Sequence, residues 1–381
     1  MKYYIIAGEA SGDLHGSNLM KGLKAEDPQA DFRFWGGSLM AAVGGTLVQD
    51  YKDGAVMGVG DVIAKARKLL GNVSRCERDI EAYRPDVVVL IDYPGFNFKI
   101  AKYAHTHGYR VYYYIAPKTW ASRESRNRKI KAYVDRLFIV FPFEKPYFES
   151  KGIPYIYKGN PLIDAIDGSP ALNESREAFL SRHGLKGGRF IAILAGSRSG
   201  EISRTMPVGM ALADRLHSIP QYSDVTFLVA GAPSRSEEDY NAHIGGRDYV
   251  KLIFSDTYGI LRNSEAAMIN SGTASLEAAL IGTPQVVVYS FAKLTMAIVR
   301  RIVKVRYISL GNLIVDRLVF RELIQEDMTP ENVTAEVRRL VEDTPYREQM
   351  LSGYAEIRNA LGNSGASNAV AKAMIEELRR S

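Results

Sequence analysis

Short runs of consecutive apolar residues recur along the first half of the chain, separated by segments in which apolar residues repeat at helical spacing. A run without polar alternation is typical of a strand buried on both faces of a parallel sheet. These runs predict strands at residues 3–7, 32–35, 86–91, 111–115, 136–141 and 154–157. Helical spacing predicts helices at about 14–24, 61–83 and 97–107.

The second half repeats this alternation after a turn-rich linker near residues 160–172. Its strands are predicted at residues 190–194, 225–229, 250–254, 267–269 and 285–289, and its terminal helices at 330–342, 346–360 and 366–380. Alternating strands and helices indicate an α/β chain with two Rossmann-like, doubly wound parallel-sheet domains. Two such domains would leave a central cleft between them, where pockets are common.

We therefore expect an N-terminal domain over residues 1–165, a second domain over 166–345 and C-terminal helices over 346–381. The C-terminal helices could pack back on the first domain or exchange with a partner chain. A length of 381 residues fits two domains better than one core.

Composition narrows the function classes only slightly. The single cysteine, Cys76, cannot form an internal disulfide and fits a reducing compartment. We expect no signal peptide and no spanning helix, because the chain opens on a strand and no run approaches about 20 apolar residues. The six histidines show no metal-ligand spacing. A net charge of +6 favours an acidic partner without choosing among phosphate, nucleotide, nucleic acid and anionic membrane.

Asp92 is the first candidate for chemistry. It follows the buried run 87–91, and Pro94 and Gly95 then turn the chain. The carboxyl ends of strands are where open α/β sheets hold their ligands, so a carboxylate there is a candidate general base. Capping of the next helix is an equally open interpretation.

Gly196, Ser197 and Arg198 connect a predicted strand to a predicted helix. The N–H groups at a helix N-terminus together with a guanidinium form an anion site. The segment matches neither common phosphate-loop fingerprint, and a plain strand-to-helix turn remains the alternative.

Ser271, Gly272 and Thr273 form a second loop of this kind, in which we expect Ser271 or Thr273 to cap the following helix. Glu277 lies on the first turns of that helix, where its carboxylate could accept a ribose hydroxyl. An ordinary capping arrangement is the alternative. Two anion-binding loops in one domain fit a diphosphate better than a single phosphate.

The loop at residues 8–13 follows the first strand of the other half. Its two glycines allow a ligand to approach the main chain closely. Glu9 and Asp13 would repel phosphate, so the loop is better suited to sugar hydroxyls. A tight turn without ligand is the alternative.

Two segments, 57–70 and 296–306, mix apolar and basic residues. A basic amphipathic helix is typical of a membrane surface, although an ordinary solvated helix is an equally open interpretation. The residues that would face the membrane are Met57, Val62, Lys65, Lys68, Leu69, Arg300, Arg301 and Lys304. A further basic run at residues 123–131 could bind phosphate or nucleic acid. We favour a solvated helix face for it, because no RNA-binding module accompanies it.

In combination, these motifs resemble the lipid-A-disaccharide synthases, which are inverting glycosyltransferases of the GT-B class. The resemblance covers nearly the whole chain in order. It rests on residues 7–13, 55–58, 90–92, 94, 96–97, 117, 120–121, 137–145, 196–198, 271–274, 276–277, 309–310, 312–313 and 322–326. The chain departs from the family pattern at Gly95, Ser122, Asn160, Ala195 and Gly311. Gly95 stands where the family usually has a second aspartate.

The resemblance implies transfer of 2,3-diacylglucosamine from UDP-2,3-diacylglucosamine to 2,3-diacylglucosamine 1-phosphate (lipid X), without metal or organic cofactor. It implies Asp92 as the base, Arg198 on the leaving diphosphate and Glu277 on the ribose. It adds Asn312, Gln325 and Glu326 on the donor side. For the acceptor side it implies Glu9, Ser11, Asp13 and Asn97.

The resemblance further implies a cytoplasmic protein, peripheral on the inner-membrane surface, with no nucleic-acid partner and with a homodimer as an option. Two alternatives stay open. A UDP-N-acetylglucosamine 2-epimerase would share the two-domain architecture and need no acceptor. A non-catalytic peripheral membrane protein would bind a nucleotide sugar or lipid without turnover.

Overall fold

The two alternating series form two separate parallel sheets. The structure is a computed structural model that describes residues 1–54, 62–290 and 306–380, with the main chain alone at residues 54 and 62–68. The chain divides into two compact units, Met1–Ala165 with Asn363–Ser381, and Ile166–Gly362.

The first unit contains a seven-stranded sheet in the order β3-β2-β1-β4-β5-β6-β7, and every neighbouring pair is parallel. The strands are β1 (Lys2–Ala7), β2 (Asp31–Gly36), β3 (Thr46–Asp50), β4 (Val87–Ile91), β5 (Arg110–Tyr114), β6 (Arg136–Ile139) and β7 (Ile156–Tyr157). The sequence missed β3, because it is an edge strand whose residues are exposed or half-buried and form no buried run.

Helices cover both faces of this sheet, as parallel crossovers require. They are α1 (Ala10–Glu26), α2 (Ser38–Val43), α3 (Tyr51–Gly54), α4 (Val62–Tyr83), α5 (Pro94–Thr106), α6 (Asn127–Tyr133), α7 (Glu144–Ser150) and α8 (Pro161–Asp167). The core on one face contains Tyr4, Ile6, Val88, Leu90 and Tyr113, all essentially inaccessible to solvent. Burial of these runs explains why they predicted strands correctly.

The second unit contains a six-stranded parallel sheet in the order β10-β9-β8-β11-β12-β13. The strands are β8 (Arg189–Leu194), β9 (Val225–Gly231), β10 (Val250–Phe254), β11 (Ala266–Asn270), β12 (Gln285–Tyr289) and β13 (Glu322–Ile324). The sequence missed β13, which is only three residues long.

The helices of the second part of the chain are α9 (Pro170–Asn173), α10 (Arg176–His183), α11 (Ser199–His217), α12 (Glu238–Ile244), α13 (Thr257–Asn263), α14 (Thr273–Ile281), α15 (Leu310–Val315), α16 (Pro330–Glu342) and α17 (Thr344–Leu361). Because α17 packs on α14 and α15, it belongs to this unit. The structure thus divides the chain at residue 362, whereas the sequence placed a boundary at residue 345.

The last helix, α18 (Ala366–Arg380), packs against α1 in the first unit. The carboxylate of Asp164 accepts bonds from the main-chain N–H groups of Gly365 (2.5 Å) and Ser367 (2.7 Å) at its start. Near its end, the Arg110 guanidinium donates to the carbonyl oxygen of Leu378 at 2.8 Å. These contacts attach the end of the chain to the sheet with which the chain begins.

Each sheet has one topological switch point. It is the pair of neighbouring strands from which the strand order runs outward in opposite directions along the sheet. In the first unit this point lies between β1 and β4, and in the second between β8 and β11. Loops at the carboxyl ends of such strand pairs form the ligand crevice of doubly wound sheets. Within the described residues, no helix is long and apolar enough to cross a membrane.

Candidate functional site

The loops selected from the sequence flank these two switch points. In the first unit, residues 8–9 follow β1 and Asp92 follows β4. In the second unit, residues 195–198 follow β8 and residues 271–272 follow β11. The sheet order, which the sequence did not provide, therefore pairs the loops within each unit.

Asp92 occupies an unusual turn between β4 and α5. Asp92 and Tyr93 have φ angles of 41° and 44°, so two consecutive non-glycine residues are left-handed. Such conformations are uncommon and persist where neighbouring groups hold them. The Tyr113 hydroxyl donates to the Asp92 carbonyl oxygen at 2.5 Å, and the Asn97 amide donates to the same oxygen at 2.8 Å.

The Asp92 side chain does not cap α5. The N-cap residue of that helix is Tyr93, whose side chain makes no capping hydrogen bond, and the Asp92 carboxylate accepts a bond from the Tyr93 main-chain N–H. The pKa of Asp92 is raised, chiefly because burial removes water from the carboxylate. The charge of Glu9 adds to this rise, while the charges of Lys118 and Arg126 oppose it. The carboxylate is thus a partly desolvated base with cations nearby.

Asn97 was predicted to bind the acceptor, and the structure places its side chain in the interior of the first unit. Its side chain is fully buried, and its amide also donates to the Ile91 carbonyl oxygen at 3.2 Å. Asn97 therefore stabilises the Asp92 turn through hydrogen bonds to its carbonyl oxygens. It is a positioning residue for this turn.

The loop after β1 is shorter than the sequence suggested, because α1 begins at Ala10 with Glu9 as its N-cap residue. Gly8 lies directly under the ring of Tyr93, since a Cβ atom on Gly8 would lie 2.4 Å from that ring. This contact brings the loop against the Asp92 turn. Glu9 and Ser11 remain exposed at its edge.

Asp13, predicted to bind the acceptor, is buried, and its carboxylate binds the start of α2. Its carboxylate accepts from the N–H groups of Gly37 (2.8 Å), Leu39 (3.1 Å) and Met40 (3.0 Å). A carboxylate at a helix N-terminus satisfies N–H groups that have no partner within the helix. The Asp13 carboxylate therefore stabilises the start of α2.

A buried acid lies beyond β6. The Glu144 carboxylate accepts from the N–H groups of Val140 (3.0 Å) and Phe141 (2.9 Å) and from the Trp120 indole (3.1 Å). Burial raises the pKa of Glu144 to about 7. Nearby, the Asn160 amide donates to the Val140 carbonyl oxygen and its oxygen accepts from the Leu162 N–H, so this departure from the family pattern is structurally satisfied.

In the second unit, Gly196 has a φ of 101°, and a Cβ atom there would lie 2.6 Å from the Glu201 carboxylate. That carboxylate accepts from the N–H groups of Ser197 (3.1 Å) and Arg198 (3.3 Å) and pairs with the Arg198 guanidinium at 3.1 Å. The donors that suit a phosphate are therefore gathered around one carboxylate. The sequence did not identify Glu201 as the partner of these donors.

The loop after β11 leads into α14 with Gly272 as the N-cap residue and without a side-chain cap. The expectation that Ser271 or Thr273 caps this helix is wrong, because Gly272 takes that position. The first N–H groups of α14 have no partner within the helix by its geometry. They remain suited to an anion.

Glu277 lies half-buried on α14, and the Tyr258 hydroxyl donates to its carboxylate at 3.1 Å. Burial raises the pKa of Glu277 to about 7, although the Tyr258 bond opposes the rise. An acid with this pKa changes its charge near neutral pH. Tyr258 is a partner that the sequence gave no reason to select.

Asn312, predicted to lie on the donor side, is fully buried. Its amide donates to the Phe320 carbonyl oxygen and to the Glu322 carboxylate, each at 2.9 Å, and its oxygen accepts from the Val319 N–H at 2.8 Å. Asn312 thus joins α15 to β13. Gln325 and Glu326 lie on the short turn directly after β13, at the carboxyl end of the sheet.

Most predicted membrane-facing residues fall outside what the structure describes. Met57, Arg300, Arg301 and Lys304 lie outside the described residues, and Val62, Lys65 and Lys68 are described by main chain alone. Leu69 is half-buried and packs against the core of the first unit, so at least part of its side chain serves the fold.

Lys118 and Arg126 are two cations that the sequence did not place beside Asp92. Both act electrostatically on Asp92, yet they lie in the segment between β5 and β6. The position of Lys118 shortly after a buried strand was an available signal. Among the described residues, no group of three or more histidine, cysteine, aspartate or glutamate side chains is arranged to hold a metal ion.

Comparison with solved structures defines the class. A putative UDP-N-acetylglucosamine 2-epimerase from Listeria monocytogenes aligns with a TM-score of 0.70 at 16% identity, covering 100% of this chain and 97% of that chain. The calicheamicin glycosyltransferase CalG4 aligns with a TM-score of 0.58 at 13% identity, covering 99% and 97%. At these identities the likeness shows the fold alone, which is that of the GT-B class of UDP-sugar enzymes and glycosyltransferases.

Sequence comparison defines the family. Residues 3–374 match the family described as lipid-A-disaccharide synthetase. The lipid-A-disaccharide synthase of Geobacter metallireducens is 37% identical over 376 residues, covering 98% of this chain and 96% of that protein. The chain belongs to the lipid-A-disaccharide synthetase family, whose members are glycosyltransferases. The epimerase alternative has only the shared fold in its favour.

Proposed function

We propose that this protein is a lipid-A-disaccharide synthase that transfers 2,3-diacylglucosamine from its UDP derivative to 2,3-diacylglucosamine 1-phosphate. The products are UDP and a β-1,6-linked disaccharide 1-phosphate. The observation that carries the proposal is family membership over nearly the whole chain. The geometry at the two switch points supports it, because one unit has a desolvated carboxylate and the other has anion-binding loops.

The proposed reaction is a single displacement at the anomeric carbon. The Asp92 carboxylate takes the proton of the acceptor 6-hydroxyl, whose oxygen forms the new bond to that carbon. The bond from the carbon to the UDP oxygen breaks on the opposite face, which inverts the configuration. A positioned base contributes roughly 10²- to 10⁴-fold to such a step.

The leaving diphosphate gains negative charge as its bond breaks. We assign its stabilisation to Arg198 and to the N–H groups at the starts of α11 and α14, with Glu277 on the ribose. The carboxylate of Glu201 marks the place where these donors of the first loop converge. Binding of the diphosphate requires Arg198 to exchange its bond with Glu201 for bonds to phosphate oxygens, which guanidinium groups bind well.

The proposal also concerns where the protein works and whether it forms a homodimer. Because both substrates carry acyl chains, we propose that the protein works as a peripheral protein at the cytoplasmic surface of the inner membrane. The basic apolar segments 57–70 and 296–306 of the sequence support this part. A homodimer stays an open expectation.

One assay tests the activity. The purified protein is incubated with UDP-2,3-diacylglucosamine, with and without lipid X, and the products are separated by mass spectrometry. Formation of the disaccharide 1-phosphate and UDP only when lipid X is present is the expected result. Turnover of the donor to an epimer without acceptor, or no turnover of either substrate, would refute the proposal.

A further inference from the structure

A cavity of about 350 Å³ opens beside the Asp92 turn in the first unit. Its walls come from the start of α5, including Gly95 and Phe98, and from the segment that leads into α6. Four basic side chains surround it: Lys99, Arg123, Arg126 and Lys129. Of the described residues that line it, none is acidic.

The four cations have no salt-bridge partner among the described residues. Within the described part of the chain, none of them pairs with a carboxylate, and Lys129 only approaches the ring of Phe98, at 5.8 Å. Arg126 is half-buried, and burial together with the charge of Arg123 lowers its pKa. Two neighbouring like charges, one of which is partly removed from water, are stabilised when an anion binds between them.

The cavity is adjacent to the proposed base. Gly95 lines it and lies three residues after Asp92, and the charge of Arg126 reaches the Asp92 carboxylate. The acceptor of the proposed reaction carries its reacting hydroxyl on carbon 6 and its phosphate on carbon 1. Carbon 1 and carbon 5, which bears carbon 6, flank the same ring oxygen, so a phosphate site close to the base but separate from it is what this acceptor requires.

We propose that the cavity beside α5 binds the anomeric phosphate monoester of the acceptor, with Arg123 and Arg126 as its main donors. This inference rests on the proposed function and names the part of the acceptor that this unit recognises. Planar guanidinium groups suit phosphate because they donate two parallel hydrogen bonds. The basic run that the sequence favoured as a solvated helix face thus contains two residues of a specific site.

Arg126 gives the sharpest test. Arg126→Ala removes a cation from the wall of the cavity, and Arg128→Ala removes a neighbouring exposed charge that does not line it. Both variants are compared with the parent protein after their folding is verified by circular dichroism.

The readout is the ratio of kcat/KM for lipid X to kcat/KM for the same diacylated sugar without the 1-phosphate. Loss of charge-assisted bonds lowers this ratio by roughly 10- to 100-fold in Arg126→Ala. The Arg128→Ala control keeps the parent ratio. An unchanged ratio in Arg126→Ala, with the parent protein active, overturns the inference and leaves the proposed function standing.

A second arm separates the acceptor phosphate from a membrane phosphate. Co-sedimentation with phosphatidylglycerol vesicles and with phosphatidylcholine vesicles is measured for the parent protein and for Arg126→Ala. Equal vesicle binding of the two proteins, together with the lowered acceptor ratio, is the expected result. Reduced binding of Arg126→Ala to the anionic vesicles with an unchanged acceptor ratio would assign the cavity to a lipid headgroup and overturn the inference.

Discussion

Two features of Asp92 are energetically unfavourable, which favours a functional role over a purely structural one. Its main chain is left-handed, which costs about 1–3 kcal/mol for such residues, and its carboxylate is held where water is partly excluded. Tyr113 and Asn97 support the turn by hydrogen bonds to the Asp92 carbonyl oxygen. Their bonds leave the carboxylate itself available for a proton transfer.

Replacing Asp92 with Asn should therefore lower transfer by roughly 10²- to 10⁴-fold, because an amide cannot take the acceptor proton. Steady-state kinetics with both diacylated substrates measure the loss. UDP affinity, determined by calorimetry, should match that of the parent protein. Near-full transfer by the folded Asp92→Asn variant would rule out the base assignment.

The same substitution should make the protein more stable at neutral pH. Since the pKa of Asp92 is raised in the folded state, ionisation opposes folding above that pKa and has no effect below the unfolded value of 3.8. Thermal unfolding of Asp92→Asn and the parent protein should differ most at neutral pH and converge as the pH falls. A constant difference across this range would contradict the raised pKa.

Glu277 should make UDP binding depend on pH. Its pKa of about 7 means that the carboxylate loses its charge as the pH falls below neutrality, and a protonated carboxyl is a weaker acceptor for ribose hydroxyls. The dissociation constant for UDP should therefore rise on acidification more steeply in the parent protein than in Glu277→Gln. Because UDP is the same in both titrations, its own ionisation cancels, and parallel curves would exclude the ribose contact.

At the scale of elements, function depends on where strands end. The connection from β8 to α11 bends at Gly196, whose left-handed conformation places the Glu201 carboxylate against the N–H groups of Ser197 and Arg198. The connection from β11 to α14 uses Gly272 instead of a side-chain cap. Both connections leave donors at the crevice of the sheet, which is the physical basis of an anion site.

Arg198→Ala should weaken UDP binding by roughly 10- to 100-fold, because charge-assisted hydrogen bonds to the diphosphate are lost. Arg215→Ala is the matched control, since it removes an arginine from the other end of α11, where it pairs with Glu331. Calorimetry of both variants with UDP measures the difference. An unchanged dissociation constant for Arg198→Ala would reject its diphosphate role.

At the scale of the whole molecule, the chain end completes the first unit. Gly22 on α1 lies against α18, where a Cβ atom would be 2.9 Å from Ala371 and 3.0 Å from the Asn368 side-chain oxygen. Asp164 and Arg110 bind the two ends of α18. The long sequence separation of these partners means that the first unit is complete only when the last residues have been made.

Gly22→Ala should consequently destabilise the protein by about 1–3 kcal/mol, because the two helices must move apart. Gly71→Ala is the same substitution in α4, where a Cβ atom would meet nothing within 4 Å. It should stabilise the protein by about 0.5–1 kcal/mol, since glycine weakens a helix interior. Urea denaturation of the two variants compares these effects, and equal shifts in the same direction would argue against the close contact of α1 with α18.

A site residue could be predicted where the local sequence alone defines its position in the fold. Asp92, Gly196 and Ser271 could be selected because each ends a run of residues buried on both faces. The interior hydrogen bonds of Asp13, Asn97 and Asn312 could not be predicted, since their side chains bond to main-chain groups that only the fold brings near. The same reason hid the edge strand β3 and the three-residue strand β13.

By itself, the sequence determined the α/β class, most strand positions and the loops that carry candidate chemistry, because burial of a strand is recorded in consecutive apolar residues. Only the tertiary structure decided the order of the strands, and with it which loops share a switch point. It also decided which polar residues are consumed by the fold and that Arg123 and Arg126 line a cavity beside Asp92. These properties depend on contacts between segments far apart in the chain, which periodicity along the sequence does not encode.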